Sequence, residues 1–420
     1  MSDITNTPGL EPATPSDDHN PSKSLETPKN APKETFYTRQ FGLLCLSSFL
    51  FFCSFSMILV ELPAYLTKLG GEAYKGYIIA LFTLAAGLSR PFSGKLTDTI
   101  GRTPVIMFGA VVCFFSGFLY TWLITVFGFL FIRFIHGMST GFTPTGTAAY
   151  VADVVPASRR GEAMGIFGLI NNIGPAIAPA LGSLIVVYYP IDYMFYCSTI
   201  FAALSLLLLS RLKETLPKEK RQPFRLSLLK INPRKEIIEP RVIAPAISFL
   251  LLVVPFGIVL TIIPDFSEHL GVFKSHFLTV FTLSSLGIRF VAGKVSDRFG
   301  RVQVIKVGSV VLFTAMAIVG FATQGWMLLT GAVFFGIAVG IISPTAFAWT
   351  IDLSDDAGRG KALATLYIAL EAGIGLGAIF SAQIFNNNPQ NFPWAFWLGC
   401  GTSLIAFIYL QFGLRKQDIV

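Results

Sequence analysis

Apolar residues along this chain fall into runs of roughly twenty, and polar residues fall mostly between the runs. An α-helix rises 1.5 Å per residue, so about 20 residues cross a hydrocarbon core of ~30 Å. Twelve runs reach that length. The first six are 40–62, 76–93, 104–124, 127–150, 163–187 and 192–211. After a charged stretch come 242–264, 275–292, 303–322, 326–350, 362–384 and 393–413. Only helices and closed barrels satisfy every backbone group in lipid, and these runs are too long and too uniformly apolar for barrel strands. The expected fold is an all-α membrane protein of twelve transmembrane helices in two six-helix bundles. The bundles are expected at 39–212 and 242–413, joined by a linker at 213–241, with tails at 1–38 and 414–420. The N-terminal tail is rich in Pro, Ser, Thr and Asn and is predicted to be disordered. It has no apolar core of a signal peptide, so the first run is read as a retained helix.

Composition supports this picture and charge orients it. Hydrophobic residues make up 53% and charged residues 13%, with a mean hydropathy of +0.64. A soluble domain carries roughly 25% charge, so lipid must cover part of this surface. The net charge of +8 would suggest nucleic acid on a soluble protein. Here it follows topology instead: 26 of the 32 Lys and Arg fall on the side of the termini. Lys68, Lys75 and Lys274 fall on the other side, and Arg90, Arg133 and Arg289 within or near the ends of spans. The positive-inside rule then puts both termini in the cytoplasm, in the cell (plasma or inner) membrane. The five cysteines sit in apolar runs without a CxxC pair, and the four histidines lack metal spacing. No metal site, cofactor, enzyme signature or nucleotide-binding loop is found, which disfavours an ATP-driven pump.

The two halves repeat. Gly94, Asp98, Gly101 and Arg102 recur as Gly293, Asp297, Gly300 and Arg301, an offset of 199 residues. The same offset carries Arg90 onto Arg289, Gly137 onto Gly336, Gly141 onto Gly340 and Asp153 onto Asp352. Each half has an even number of spans, so both run in the same direction about an axis along the membrane normal. The pattern Gly-x-x-x-Asp-x-x-Gly-Arg between spans two and three, with a copy between spans eight and nine, resembles the signature of the major facilitator superfamily. The resemblance covers all but the N-terminal tail. It implies alternating access and a gate at the cytoplasmic face made by these loops together with Asp153 and Asp352.

Other residues are candidates for chemistry. Arg133 in span four is costly in lipid unless it faces the interior. Arg133-x-x-His136-Gly137 resembles a segment of the family's proton-coupled exporters that carries Gln where His136 stands, which implies a coupling role for Arg133 and His136. Snorkelling for Arg133 and plain packing for His136 are the bland alternatives. Gly174-Pro175 partly resembles the family's antiporter motif, and close helix packing explains it equally well. Glu371 in span eleven, with no positive neighbour in its own helix, is read as an isolated carboxylate able to carry a proton, the alternative being a static hydrogen bond or ion pair that holds helices together. Glu61, at the outer end of span one, is either a second such group or a solvated loop-edge residue. Asp265 is read as interfacial. Asn171, Asn172, Phe142, Trp349 and Tyr367 are candidates for the cavity wall.

The expected activity is secondary active transport, with proton-coupled export of small organic or drug-like molecules favoured. A proton-coupled importer of a sugar or other metabolite is the main rival. A non-transporting sensor on the same fold is a further alternative, disfavoured by the short soluble tails. The expected partners are a small-molecule substrate, protons and lipid, with the protein a monomer and no nucleic acid bound.

Overall fold

The computed structural model describes residues 37–156, 159–231, 237–354, 359–415 and 418. Twelve long helices carry the fold among these residues. In the first half they are α1 (Arg39–Ile58), α2 (Lys75–Thr99), α3 (Arg102–Leu119), α4 (Val126–Val154), α5 (Arg160–Tyr188) and α6 (Ile191–Leu209). In the second they are α7 (Ile243–His269), α8 (His276–Phe299), α9 (Arg301–Gly320), α10 (Gly325–Asp352), α11 (Arg359–Phe385) and α12 (Phe392–Ile408). Local chemistry fixes several ends. Thr38 caps α1 by accepting from Phe41 N at 3.2 Å, and Thr125 caps α4 by accepting from Gly128 N at 3.1 Å. Side chains at these positions replace bonds that the first turn cannot make.

Two element boundaries differ from expectation. The first run is not one helix: α1 stops at Ile58, and a short helix, Leu62–Lys68, follows a turn that contains Glu61. Pro63 begins the second piece, because it has no N–H to continue the first. The repeated signature is not a loop between spans. Residues 94–99 lie in the last turns of α2 and residues 293–299 in those of α8. The chain breaks only at Ile100-Gly101 and at Gly300. Gly101 (φ 131°) and Gly300 (φ 87°) adopt backbone that side-chain-bearing residues avoid.

Ten of the twelve helices, taken singly, are apolar enough to cross a membrane. The exceptions are α2 and α8, which carry Arg90 and Arg289 and end in the charged signature. Outward side chains such as Phe127, Phe131 and Leu207 are exposed and apolar, as a lipid-facing surface requires.

Packing repeats the internal duplication. In the first half α1 packs on α5 and α6, α2 on α4, and α3 on α4 and α6. The second half uses the same pairs: α7 on α11 and α12, α8 on α10, and α9 on α10 and α12. Two seams join the halves, α2 against α11 and α5 against α8. Exchanging the halves turns one seam into the other.

Candidate functional site

The α2–α11 seam is built from small residues. A Cβ on Gly375 would come within 2.8 Å of Thr83 Oγ1, and one on Gly87 within 3.4 Å of Glu371 Cβ. At this close approach Arg90 NH2 donates to Glu371 Oε1 at 3.2 Å, and Arg90 NH1 to Thr145 Oγ1 at 3.3 Å. The guanidinium also lies 4.1 Å from the centre of the Tyr367 ring. The side chains of Arg90 and Glu371 are 6% and 10% exposed. The reading of Glu371 as an isolated carboxylate is thereby corrected. Its partner is 281 residues away, on a helix of the other half, so inspection of α11 alone could not find it. Arg90 is the functional candidate that sequence reasoning passed over, although its recurrence as Arg289 was visible.

Glu61 is buried, at 5% exposure, and is not a solvated loop-edge residue. Ser183 Oγ donates to it at 2.6 Å, and Lys274 Nζ lies 3.8 Å away. On the same face Lys75 Nζ donates to Asp265 at 2.6 Å, and Asn387 Nδ2 donates to the carbonyl of Glu72 at 3.2 Å. Asp265 is thus half of an ion pair and not merely an interfacial residue. Lys274 to Glu61, Lys75 to Asp265, and Asn387 to Glu72 thus tie the halves together on the face opposite the termini.

Arg133 and His136 are brought together, away from Glu371. Arg133 is fully buried; its Nε donates to Ile78 O at 3.0 Å and its NH1 to Tyr120 Oη at 3.3 Å. The guanidinium stands 4.5 Å from the Phe82 ring centre. Full burial removes the snorkelling alternative. His136 Nδ1 is 3.2 Å from Tyr120 Oη, and its Nε2 is 3.4 Å from Cys113 Sγ. This cluster joins α2, α3 and α4 within one half.

The signature residues form two matching clusters. Arg102 Nε donates to Asp153 at 3.0 Å and its NH1 to Asp98 at 3.3 Å. In the copy, Arg301 Nε donates to Asp352 at 2.8 Å, and Arg301 also pairs with Asp297. Glu214 of the linker, which drew no attention in the sequence, accepts from the N–H groups of Arg102 at 3.0 Å and Thr103 at 2.9 Å. A carboxylate there meets the positive end of α3. Neither cluster reaches across to the opposite half through these bonds.

A cavity of about 180 Å³ lies beside the α5–α8 seam. Asn172, Arg289, Ser285 and Phe256 are among its lining residues. Asn172 Nδ2 donates to Gly168 O at 2.6 Å, and the neighbouring Asn171 has a buried Oδ1 without a partner among the described residues. Two cavity candidates are misplaced. Phe142 packs with Phe108 and lines an apolar cavity of about 620 Å³, to whose wall linker residues Phe224 and Leu229 also contribute. Trp349 is fully buried inside the second half, its Nε1 donating to Asp418 O at 2.9 Å. Trp349 shares a face of α10 with Ile342 of the cavity wall but lies two turns further along the helix, a depth that residue type alone does not encode. Tyr367 belongs to the Arg90 site. Gly174 packs on the α1 backbone, 3.2 Å from Cys53 N for a built Cβ, and Gly373 packs on α7 in the same way. Among the described residues no cluster of three metal-ligating side chains occurs.

A family model described as Major Facilitator Superfamily matches residues 44–273 and 246–418. Among similar proteins, "Multidrug resistance protein 2" of Bacillus subtilis (strain 168) is 27% identical over 335 residues, covering 76% of this chain and 81% of that protein. The human organic anion transporter MFSD10 (TETRAN) has a solved structure that superposes with a TM-score of 0.70 at 19% identity, covering 89% and 99% of the two chains. A D-xylose-proton symporter superposes with a TM-score of 0.74 at 18% identity, covering 90% and 98%. The last two likenesses show the fold.

Proposed function

The chain belongs to the major facilitator superfamily of membrane transporters, and we propose that within it this protein is a proton-coupled exporter of small organic or drug-like molecules. Export is supported by similarity to a relative named as a multidrug resistance protein. We place both termini in the cytoplasm, in the cell (plasma or inner) membrane, on the distribution of Lys and Arg.

The observation that carries the coupling is the Arg90–Glu371 ion pair, buried where the two halves meet. Alternating access requires the halves to rock, and this pair spans the seam that must shear. Losing one charge of a buried pair costs about 3–5 kcal/mol. Protonation of Glu371 removes that charge by neutralising the carboxylate, and Arg90 keeps Thr145 and the Tyr367 ring as partners. The proton thus releases the lock without leaving the guanidinium bare. Glu61, held by Ser183 and near Lys274, is a second buried carboxylate, on the face opposite the termini. Arg133 and His136 act indirectly, by fixing α2 against α3 and α4.

The two signature clusters brace helix ends at the face of the termini, so that each half moves as a unit. Asp98 and Asp153 with Arg102, and Asp297 and Asp352 with Arg301, serve this bracing, with Gly101 and Gly300 making the turns that follow; Gly94 and Gly293 make no contact in it.

The test is substrate-induced pH change in proteoliposomes of known orientation, using a panel of cationic, neutral and anionic organic compounds. Wild type is expected to move protons against at least one class, in the export direction. Glu371→Gln is expected to abolish the proton movement while the protein remains folded. Undiminished proton flux in Glu371→Gln would place coupling elsewhere, and substrate uptake together with protons would reverse the direction.

A further inference from the structure

The duplication leaves one position chemically unmatched. The offset that carries Arg90 onto Arg289 also carries Asn172 onto Glu371. The α2–α11 seam holds Arg90 and Glu371; its twin, the α5–α8 seam, holds Arg289 and Asn172. One arginine therefore has a carboxylate partner supplied by the protein, while the other faces a neutral amide at the equivalent place.

The surroundings of Arg289 agree with this. Arg289 and Asn172 line the same cavity of about 180 Å³, and no Asp or Glu is among the described residues of its wall. Arg289 Nε, like that of Arg90, is buried without a hydrogen-bond partner, but among the described residues only Arg90 has a carboxylate beside its terminal nitrogens. The hydroxyl-bearing Thr282, Ser285 and Ser343 share the wall, with Phe249 on the apolar side. Arg289 is half-buried; a guanidinium partly withdrawn from water gains from a counter-charge, and its planar fork fits a carboxylate or similar oxyanion by two parallel bonds. A cation entering this cavity would meet Arg289 unscreened.

We infer that the cavity binds the anionic group of an organic anion on Arg289, so that the substrate supplies the charge that Glu371 supplies to Arg90. This rests on the reading of the cavity as part of the transport path, and it narrows the proposed substrate class to small organic anions with an apolar body.

The test uses three isosteric probes, 1-naphthoate, 1-naphthamide and 1-naphthylmethylammonium, with the full-length purified protein. Binding is measured by equilibrium dialysis for wild type, Arg289→Gln, Arg289→Lys and Asn172→Glu. Wild type is expected to favour the carboxylate over the amide by about tenfold or more. Arg289→Gln should erase the preference, and Arg289→Lys should keep part of it. Asn172→Glu recreates the missing pair, so it should also erase the preference while raising the melting temperature above wild type. Equal binding of the three probes, a preference for the ammonium, a preference unchanged in Arg289→Gln, or no binding of naphthoate would each overturn the assignment. The same probes are then followed across proteoliposome membranes. Anion-selective binding without flux of any probe would sink the transport-path reading alone, whereas flux without charge preference would sink the anion assignment alone.

Discussion

At the scale of single residues, equal letters in a motif do unequal work. Gly94 and Gly101 both belong to the repeated signature, but their backbones differ. Gly101 has φ 131° and ψ 162°, a region open essentially only to glycine. A Cβ there would also come within 2.5 Å of Glu214 Oε2, displacing the carboxylate that caps α3. Gly94 lies inside α2 with nothing within 4 Å of a built Cβ. Gly101→Ala should therefore destabilise the protein by about 1–3 kcal/mol, and Gly94→Ala should be neutral or stabilising, because alanine favours a helix by about 1 kcal/mol. Thermal unfolding in detergent separates the two; equal losses would refute the local account. Residue-scale chemistry was the least readable from the sequence. Glu371 stood out because a carboxylate in an apolar run is rare, whereas its pairing with Arg90 depends on which face of α2 meets α11. Glu214 was hidden for a related reason: a charged residue in a charged linker carries no contrast.

At the scale of elements, the positions of the helices were readable because hydropathy over twenty residues is a strong signal, and the duplication reported itself through the 199-residue offset. What escaped was the use of the conserved offset for packing. Gly137 of α4 sits against the backbone carbonyl of Phe82 in α2, and Gly336 of α10 against that of Phe281 in α8. Both contacts are too short for any Cβ, and on each neighbouring helix the obstacle is backbone, which cannot rotate away. Gly137→Ala should separate α2 from α4 and cost about 1–3 kcal/mol, the usual penalty for overpacking. It should also disturb Arg133, whose Nε bond to Ile78 O crosses the same interface. Gly165→Ala, in α5 with open space around it, is the control. If both variants melt alike in a thermal assay, close approach at Gly137 is not what orders this helix pair. The limits that sequence reading missed at the ends of α2 and α8 follow from charge: hydropathy ends a span where the first charged residues appear, but the helix continues beyond it; at Glu61 the reverse holds, because the apolar run goes on through a turn that ends α1 at Ile58.

At the scale of the whole molecule, the proposed alternating access requires a second state, and the bonds that cross between the halves identify the face that is closed in this one. Lys75 with Asp265 and Lys274 with Glu61 join the halves opposite the termini. The first pair is short and mostly shielded, with side chains 12% and 19% exposed. A partly buried pair of this kind is worth about 1 kcal/mol, less than a fully buried one but above most surface pairs. Because the pair joins the two halves across this face, rocking apart under the proposed alternating access would break it, so its removal should act on the balance between states and leave each half's own packing intact. Asp265→Asn should then raise the population open at this face by about fivefold, the factor that corresponds to about 1 kcal/mol. Thr261 offers the reporter: it is 3% exposed on α7 and lines a cleft between α2, α7 and α11 on this face. A cysteine introduced at Thr261 should react with a membrane-impermeant thiol reagent about fivefold faster when Asp265→Asn is present. Lys75→Asp combined with Asp265→Lys should restore the slow rate, because the pair is rebuilt with its charges exchanged. An unchanged rate in Asp265→Asn would mean that the small-residue seam between α2 and α11, and not the ion pairs at its end, sets which face is open. Gly87→Ala, which would press on Glu371, would then become the variant that moves the equilibrium.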